Sequence, residues 1–375
     1  MKKCFFKSIL CLGLVATMSS CSQEEPVPAI DDANIYKPES ILDGKEMTFS
    51  VETDEGVRSR AQGDGSGATR LCYAFLDATT KTPLIYSGQT GAPEATKTSS
   101  GFQLKVTLDP QKKYVAVFMA SGRLNIGLTS DPNSRAWYPT FVADSRNPRH
   151  KAANKLFWDC DPSGTDIDLS TEAGYNKSEL FMFRDFSKII DINKSDCPTS
   201  FTLTRPYAEV VVLASDATMN ASGVNKYTPS IQMACYATTS STSKKPVHSM
   251  LDFVTGKIEM NTDNDYMDLY DFEWDKKIKF GGTSEYANYN VLYRAPVLVG
   301  ERTNGEEYIG FCWPSQNKTL VSNVKIKTLQ PNTRYIFITG GTGDSSTGSG
   351  LLGDGARTLS LTLSTNINNG TTTNF

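Results

Sequence analysis

Apolar residues at every second position dominate the sequence from Met47 onward. The pattern is plainest in three segments, where polar residues separate the apolar ones: Met47, Phe49 and Val51; Phe102, Leu104, Val106 and Leu108; Leu359, Leu361 and Leu363. Because successive side chains of a strand point to opposite faces, this period places the apolar residues on one face of a sheet. The segments 207–213 and 335–339 are rich in β-branched and aromatic residues, as buried strands are. Only residues 151–158 suggest a short helix, so the sequence predicts an all-β protein.

A short frame occurs twice in the 375 residues and bears on domain organisation. Residues 108–114 (LDPQKKY) match residues 329–335 (LQPNTRY), and an apolar strand follows each copy. Proline turns the chain between strands, and a tyrosine that opens the next strand can bury its ring while its hydroxyl finds a partner at the sheet end. The repeat predicts two β-sandwich domains in tandem, residues 61–215 and 216–375, with the boundary in a polar stretch.

The amino terminus has the pattern of an export signal. Lys2, Lys3 and Lys7 flank an apolar run that ends in small residues before Cys21. A basic region, a short apolar region and a small-residue cleavage site predict a secretory signal over residues 1–20. The stretch Met18-Ser19-Ser20-Cys21 resembles a bacterial lipobox, which implies lipidation of Cys21 and attachment to the outer membrane by acyl chains. Residues 22–25 (SQEE) are similar to a tag that sends lipoproteins to the cell surface.

The composition argues against several classes of function. The net charge is -3 and the basic residues are scattered, so we expect no nucleic-acid partner. The two histidines, His150 and His248, are far apart, and no cysteine pair has the C-x-x-C spacing. Zinc sites and most histidine-based catalytic pairs are therefore poorly supported. We expect no metal, no cofactor and no enzymatic activity.

Two clusters leave alternatives open. The acidic run from Asp263 to Asp275 is dense enough in oxygen ligands for Ca²⁺, or it is a solvated loop, since the glycine of an EF-hand is missing. Four aromatic residues are either sugar-stacking platforms of a glycan-binding surface lipoprotein or ordinary core residues: Trp137, Tyr138, Trp158 and Trp313.

Two arginines follow the Met47–Val51 segment and precede a glycine-rich stretch. Exposed loops of small and polar residues are where proteases cut. Arg58-Ser59 and Arg60-Ala61 are therefore candidate cleavage sites for an arginine-specific protease, and the sequence does not choose between them. The alternative is a charged loop between two strands.

The arrangement resembles a fimbrillin, the subunit of type V pili. The resemblance lies in the lipobox at Cys21, a strand ahead of the Arg60-to-Gly65 stretch, two sandwich domains, the Arg205-Pro206-Tyr207-Ala208 strand and an alternating carboxy-terminal strand. It implies transthyretin-like domains and a surface lipoprotein whose propeptide, residues 21–60, an arginine-specific protease removes.

The resemblance also implies a mode of assembly. Met47, Phe49 and Val51 would fill a groove in the first sandwich, and cleavage would open it. Leu359, Leu361 and Leu363, tethered by the glycine-rich residues 340–355, would then insert into a neighbouring subunit. The expected partners are other fimbrial subunits in a head-to-tail polymer and a host protein or glycan. A tip or anchor subunit of the fimbria is the alternative within the family.

Overall fold

A computed structural model of the chain describes sixteen stretches of it. They are residues 35–53, 67–124, 136–143, 152–159, 179–214, 216, 231–238, 244–261, 270–272, 279, 287–303, 307–313, 318–325, 329–339, 361–365 and 371–374.

Strands make up nearly all the regular structure of these residues. After a short 3-10 helix (Pro38–Ser40), the first strands are β1 (Lys45–Thr53), β2 (Arg70–Asp77), β3 (Pro83–Tyr86), β4 (Thr96–Lys97), β5 (Gly101–Leu108), β6 (Tyr114–Ser121), β7 (Ala136–Thr140), β8 (Lys155–Asp159), β9 (Leu180–Phe183), β10 (Ser200–Leu203) and β11 (Tyr207–Ala214). The remaining strands are β12 (Ile231–Thr238), β13 (Lys244–Asp252), β14 (Lys257–Asn261), β15 (Tyr270–Phe272), β16 (Asn290–Leu298), β17 (Glu301–Arg302), β18 (Glu307–Trp313), β19 (Lys318–Lys325), β20 (Arg334–Thr339), β21 (Leu361–Thr365) and β22 (Thr371–Asn374). The predicted all-β class is confirmed.

Two four-stranded sheets form a sandwich in the first part of the chain. Their strand orders are β10-β1-β5-β4 and β3-β2-β6-β9. The faces that meet carry one continuous apolar core, which includes Phe49, Val51, Phe75, Phe102, Leu104, Val106, Phe118, Phe181 and Phe201. The alternation seen in the sequence accounts for this core, since Gln103 and Lys105 of β5 are exposed while Leu104 between them is buried.

A second group of sheets follows. A five-stranded sheet has the order β16-β11-β20-β21-β22. A nine-stranded sheet has the order β17-β14-β13-β12-β18-β19. Its three remaining strands are β15, which pairs with β12, β8, which pairs with β13, and β7, which pairs with β8.

The expected helix at residues 151–158 is wrong. Lys155–Asp159 forms β8, which pairs with β7 along five residues and with β13 at two. Leu156, Phe157 and Trp158 are all buried. A helix of eight residues would leave half of its backbone groups without intrahelical partners, whereas pairing with β7 and β13 provides partners on both edges of the strand.

Strand pairing shifts the organisation expected at the domain boundary. Tyr207–Ala214 lies between β16 and β20, so it joins the second group of sheets although the boundary was expected at residues 215 and 216. The β7–β8 hairpin also joins the second group, through β13. All these strands belong to one unit, Tyr36–Phe375, and the division into two tandem domains stays a prediction.

The two copies of the repeated frame have the same local structure. The Tyr114 hydroxyl accepts a hydrogen bond from the backbone N–H of Asp109 at 2.9 Å, and the Tyr335 hydroxyl accepts one from Gln330 at 2.8 Å. Both rings are buried. The expectation that the ring turns inward while the hydroxyl pairs at the sheet end is therefore confirmed.

Candidate functional site: the amino-terminal strand and its groove

Strand β1 occupies an interior position of its sheet. It pairs antiparallel with β5 over eight residue pairs, from Lys45 with Leu108 to Glu52 with Gly101. On its other side it pairs in parallel with β10 over four residue pairs, from Ser50 with Ser200 to Thr53 with Leu203. We call the space between β5 and β10 that β1 fills the β1 groove.

The apolar side chains of β1 enter the core in the way that their alternation predicts. Phe49 and Val51 are fully buried, and Met47 is partly buried against the same core. The ring of Phe49 lies 5.1 Å from that of Phe75 and 6.1 Å from that of Phe201, measured between centroids. Phe49 therefore contacts aromatic residues of both sheets. That β1 is a removable propeptide strand stays a prediction.

Gly101, the first residue of β5, lies close against the backbone of β1. A methyl group placed there would lie 2.1 Å from the carbonyl oxygen of Val51 and 2.9 Å from the Cα atom of Glu52. Any residue with a Cβ would therefore push β1 out of register, so the sequence needs glycine here for a strand to fit against this end of β5.

The carboxy-terminal strand has partners within its own chain. Leu361–Thr365 forms β21, which lies between β20 and β22, with Leu363 opposite Phe337 and Leu361 opposite Thr339. The predicted strand is therefore present at Leu361 and Leu363, while Leu359 lies outside the described residues. Donation of this strand to a neighbour stays a prediction.

A cluster of buried charges lies where the first sandwich ends and β11 begins. Glu209 of β11 accepts hydrogen bonds from the Nε atoms of Arg294 and Arg334, the latter at 2.5 Å. Arg205 donates to Oε1 of Glu179 at 2.9 Å and to Oδ1 of Asn332 at 2.9 Å. We call these six residues the Glu209 cluster; it ties the chain before β9 to the turn before β20.

The pKa values of the two carboxyl groups in the Glu209 cluster are shifted in opposite directions. Burial opposes ionisation of Glu209, but the adjacent guanidinium groups of Arg294 and Arg334 outweigh it and hold its pKa below the ordinary value. Burial raises the pKa of Glu179, and the charge of Glu209 adds to this effect although Arg205 lies beside Glu179. The charged side chains of the cluster are all buried, and their hydrogen bonds join separate strands and turns.

Several predicted site residues lie outside the described part of the chain. They are Cys21 and the cleavage residues Arg58, Ser59, Arg60 and Ala61. The acidic run from Asp263 to Asp275 is also outside it, apart from the backbone of β15. Among the described residues, no group of histidine, cysteine, aspartate and glutamate has a metal-binding arrangement, and no helix is long and apolar enough to cross a membrane.

The sugar-stacking interpretation is wrong for three of its four residues. Trp137, Tyr138 and Trp158 are all 2% exposed or less. The rings of Trp137 and Trp158 lie 5.0 Å apart, and Trp137 also contacts Tyr207. The ring of Tyr138 stacks on that of Phe157, so all three side chains pack inside the protein and offer no face to a sugar. The side chain of Trp313 lies outside the described residues.

Sequence reasoning missed the charged residues of the Glu209 cluster and the role of Gly101. The available signal was a charge inside an apolar strand, Glu209 within 207–213 and Arg294 within 290–298. Such a charge must find a partner when its strand is buried. For Gly101 the signal was a glycine directly before an alternating strand, which indicates a close backbone approach.

Comparison with known proteins gives distant structural similarity only. No protein-family model matches the chain, and no curated protein matches it. The chain is similar to a solved fimbrial protein from Bacteroides vulgatus, with 11% identity, a TM-score of 0.37, and coverage of 78% of this chain and 94% of that one. It is also similar to a fimbrial assembly protein from Parabacteroides distasonis, with 9% identity, a TM-score of 0.41, and coverage of 88% and 99%. Both names contain the word fimbrial, in line with the family that the sequence resembles. Because both TM-scores are below 0.5, these similarities carry no argument about function.

Proposed function

We propose that this protein is a structural subunit of a cell-surface fimbria that assembles by exchange of strands between subunits. The carrying observation is the position of β1, an interior strand that lies just before the candidate cleavage sites Arg58 and Arg60. A cut there would separate β1 from the chain that forms the rest of its sandwich.

Loss of β1 would expose apolar core residues and unpaired strand edges, so binding of another strand in its place would be favourable. Burial of Phe49 and Val51 contributes ~3–6 kcal/mol in total, at ~1.5–3 kcal/mol for each side chain. The facing edges of β5 and β10 would also lose their backbone partners. An open edge beside an apolar pocket is a template for a strand from another chain.

The carboxy-terminal segment supplies a strand of the required pattern. Leu359, Leu361 and Leu363 alternate with polar residues as Met47, Phe49 and Val51 do. Since β21 pairs with β20 and β22 in its own chain, donation requires it to leave these partners. A strand given by one subunit and a groove filled in the next make a head-to-tail contact, which propagates as a filament.

Export completes the proposal. The precursor would reach the outer face of the outer membrane as a lipoprotein held by Cys21, and cleavage would release it from the lipid. A fimbria built in this way would serve adhesion to a host protein or glycan. No step in this sequence requires the subunit to have an enzymatic activity of its own.

The test starts from residues 22–375 with Arg357 changed to lysine, so that an arginine-specific protease cannot cut beside the donor strand. The protein is digested, its new amino terminus is read by mass spectrometry, and the sample is run unheated on a denaturing gel. We expect a start at Ser59 or Ala61 and a ladder of detergent-resistant multimers. The matched control changes Arg58 and Arg60 to lysine, which keeps the charge, and should give neither.

A second variant tests the donor strand. Leu361→Asp should fold and be cut but give no multimers, whereas Thr362→Asp, on the opposite face of β21, should still polymerise. Normal multimers from Leu361→Asp would remove this strand from the mechanism. A clean cut with monomers alone in the parent protein would indicate a tip or anchor subunit, and no cut would leave a surface binding protein.

A further inference from the structure

The two ends of β1 are held differently in the β1 groove. Its carboxyl end, Ser50–Thr53, pairs with β10 on one side, and its first three residues also pair with β5 on the other. Its amino end, Lys45–Phe49, pairs only with β5, because β10 begins at Ser200, opposite Ser50. In the described part of the chain, the amino end is therefore paired on one edge only.

The direction of the backbone groups supports this difference. The N–H of Ser50 donates to the carbonyl of Thr199 at 2.8 Å, so the N–H of Ser50 points towards β10. Strand geometry repeats every second residue, so the backbone groups of Glu46 and Thr48 point the same way, past the start of β10. Both residues are exposed, and Met47 between them is only partly buried. The amino end of β1 is the weaker end.

The candidate cleavage sites follow the stronger end. Arg58 and Arg60 come after Thr53, and the three residues just before Thr53 have a partner on both edges of β1. A cut at either arginine breaks the chain but leaves β1 held by its pairing and by the burial of Phe49 and Val51. The segment should therefore stay bound after cleavage until its weaker end opens.

Tyr36 makes an unusual set of contacts ahead of this weaker end. Its hydroxyl donates to the carbonyl of Thr107 at 2.9 Å and accepts from the N–H of the same residue at 3.0 Å. Its own N–H donates to the carbonyl of Thr90 at 2.7 Å. Tyr36 is 9% exposed, and burial raises the pKa of its phenol although the bonds to Thr107 lower it.

These contacts place Tyr36 on the edge of β5 that faces away from β1. Thr107 lies opposite Glu46 in the register of β1 and β5. The carbonyl of Gly101 accepts a hydrogen bond from the N–H of Thr98 at 2.9 Å, so the backbone groups of Gly101 point away from β1. Thr107 lies six residues further along the same strand, and because strand geometry repeats every second residue, its backbone groups point the same way. The chain from Tyr36 to Lys45 therefore passes around the end of β5, and the amino-terminal segment holds β5 by both edges.

Gly91 allows the backbone of Tyr36 to pack closely against its loop. Its φ of +80° is one that residues with a side chain rarely adopt, and a Cβ there would lie 2.7 Å from the Tyr36 carbonyl oxygen. The loop at Thr90 and Gly91 is thus shaped for the backbone of Tyr36, while Thr107 of β5 binds its hydroxyl.

We propose that Tyr36 is a latch on the amino end of β1, and that the replacing strand of a second copy enters the β1 groove at Lys45–Met47 once this latch opens. The inference rests on the proposed function and adds to it the place of entry and the residue that controls it. The partner is a strand with alternating apolar side chains, as in residues 359–363. It first takes the partly open position of Met47 and then displaces β1 towards the cut end.

The latch is tested by removing one oxygen atom. The protein of residues 22–375 and its Tyr36→Phe variant are each cut at Arg58 or Arg60 and mixed with a synthetic peptide of residues 359–365. Size exclusion and mass spectrometry then follow the rate at which each protein loses the cut segment. We expect the segment to leave Tyr36→Phe roughly fivefold faster or more, as loss of a net hydrogen bond implies. Tyr335→Phe, which loses the same kind of tyrosine-to-backbone bond far from β1, should release the segment at the parent rate.

The place of entry is tested by hydrogen exchange on the cut protein. The backbone N–H groups of residues 45–49 should lose protection before those of residues 50–53, and Tyr36→Phe should accelerate the first group more. Earlier loss at residues 50–53 would overturn the inference, as would equal release by Tyr36→Phe and the parent. If the precursor is never cut, the proposed function fails first; if it is cut and forms multimers while Tyr36→Phe behaves as the parent, only the latch fails.

Discussion

The aromatic core of the first sandwich and the Glu209 cluster are both buried, but their chemical groups are opposite in kind. The core joins two sheets through ring contacts such as Phe49 with Phe75 and Phe118 with Phe201, at 5.1 and 5.0 Å between centroids. The cluster joins strands through paired charges, with Glu209 between Arg294 and Arg334.

The difference shows which part of the molecule can exchange a strand. Apolar burial has no direction and depends mainly on the area removed from water, so another alternating strand can replace β1. A buried charge needs its particular partner, because removal of one partner leaves the other ionised and unsolvated. The first sandwich therefore suits replacement of a strand, and the Glu209 cluster suits permanent attachment of β11, β16 and β20.

The largest expected effect is in the Glu209 cluster. Glu209→Gln leaves Arg294 and Arg334 buried without their counter-charge, so the free energy of unfolding should fall by ~3–5 kcal/mol. Glu301→Gln breaks an exposed pair with Lys257 and should change it by ~0.5 kcal/mol or less. Denaturant titration of both variants measures these changes. A small effect for Glu209→Gln would mean that the Glu209 cluster contributes little to holding β11, β16 and β20 together.

The next effect separates the precursor from the cut protein. Phe49→Ala should reduce the stability of the uncut protein by ~3–5 kcal/mol, because it opens a cavity among Phe75 and Phe201. Thr48→Ala, on the exposed face of β1, is the control. Once the segment has been replaced by another strand, Phe49→Ala should have no effect on the stability of the product. An equal loss in both forms would show that the segment never leaves.

High pH should destabilise the first sandwich. Burial raises the pKa of Tyr114 to about 12, and burial likewise raises the pKa of the Cys72 thiol to about 12. Both groups therefore keep their protons more tightly in the folded state, and the stability they contribute is complete below their ordinary pKa values of ~10 and ~9 and is lost as the pH rises towards 12. We expect unfolding by denaturant to become easier by ~1–2 kcal/mol between pH 9 and pH 11, and less so in Tyr114→Phe. An unchanged pH dependence in that variant would rule out Tyr114 as a source.

The smallest effect compares the two copies of the repeated frame. Tyr114→Phe and Tyr335→Phe each remove one hydrogen bond to the backbone, so at pH 7 each should cost ~1 kcal/mol. The two residues belong to different sheets, so the losses should add in the double variant. Strong coupling between them, measured by thermal or chemical unfolding, would mean that the two groups of sheets are less independent than their strand pairing indicates.

Prediction from the sequence succeeded where local chemistry decides the structure. The alternation of Phe49 and Val51 defined a strand and its buried face, and the frame ending at Tyr114 defined a turn with a specific hydrogen bond. It failed at Lys155–Asp159, where four consecutive buried residues carry no period and the choice of strand depends on β7 and β13. It also missed that β11 pairs with β16 and β20, since no local pattern identifies a strand's neighbours.

The sequence by itself determined that the chain is all-β, which residues of β1 and β5 face the core, and where a tyrosine ends a turn. These properties depend on neighbours a few residues away, and their physical cause is the two-residue period of a strand. Only the tertiary structure decided that β1 lies between β5 and β10, that Tyr36 holds the far edge of β5, and that Glu209 meets Arg294 and Arg334. Those contacts join residues up to 150 positions apart, as Ser50 and Ser200 are, and they exist because burial forces strand edges and charges to find partners wherever the fold brings them together.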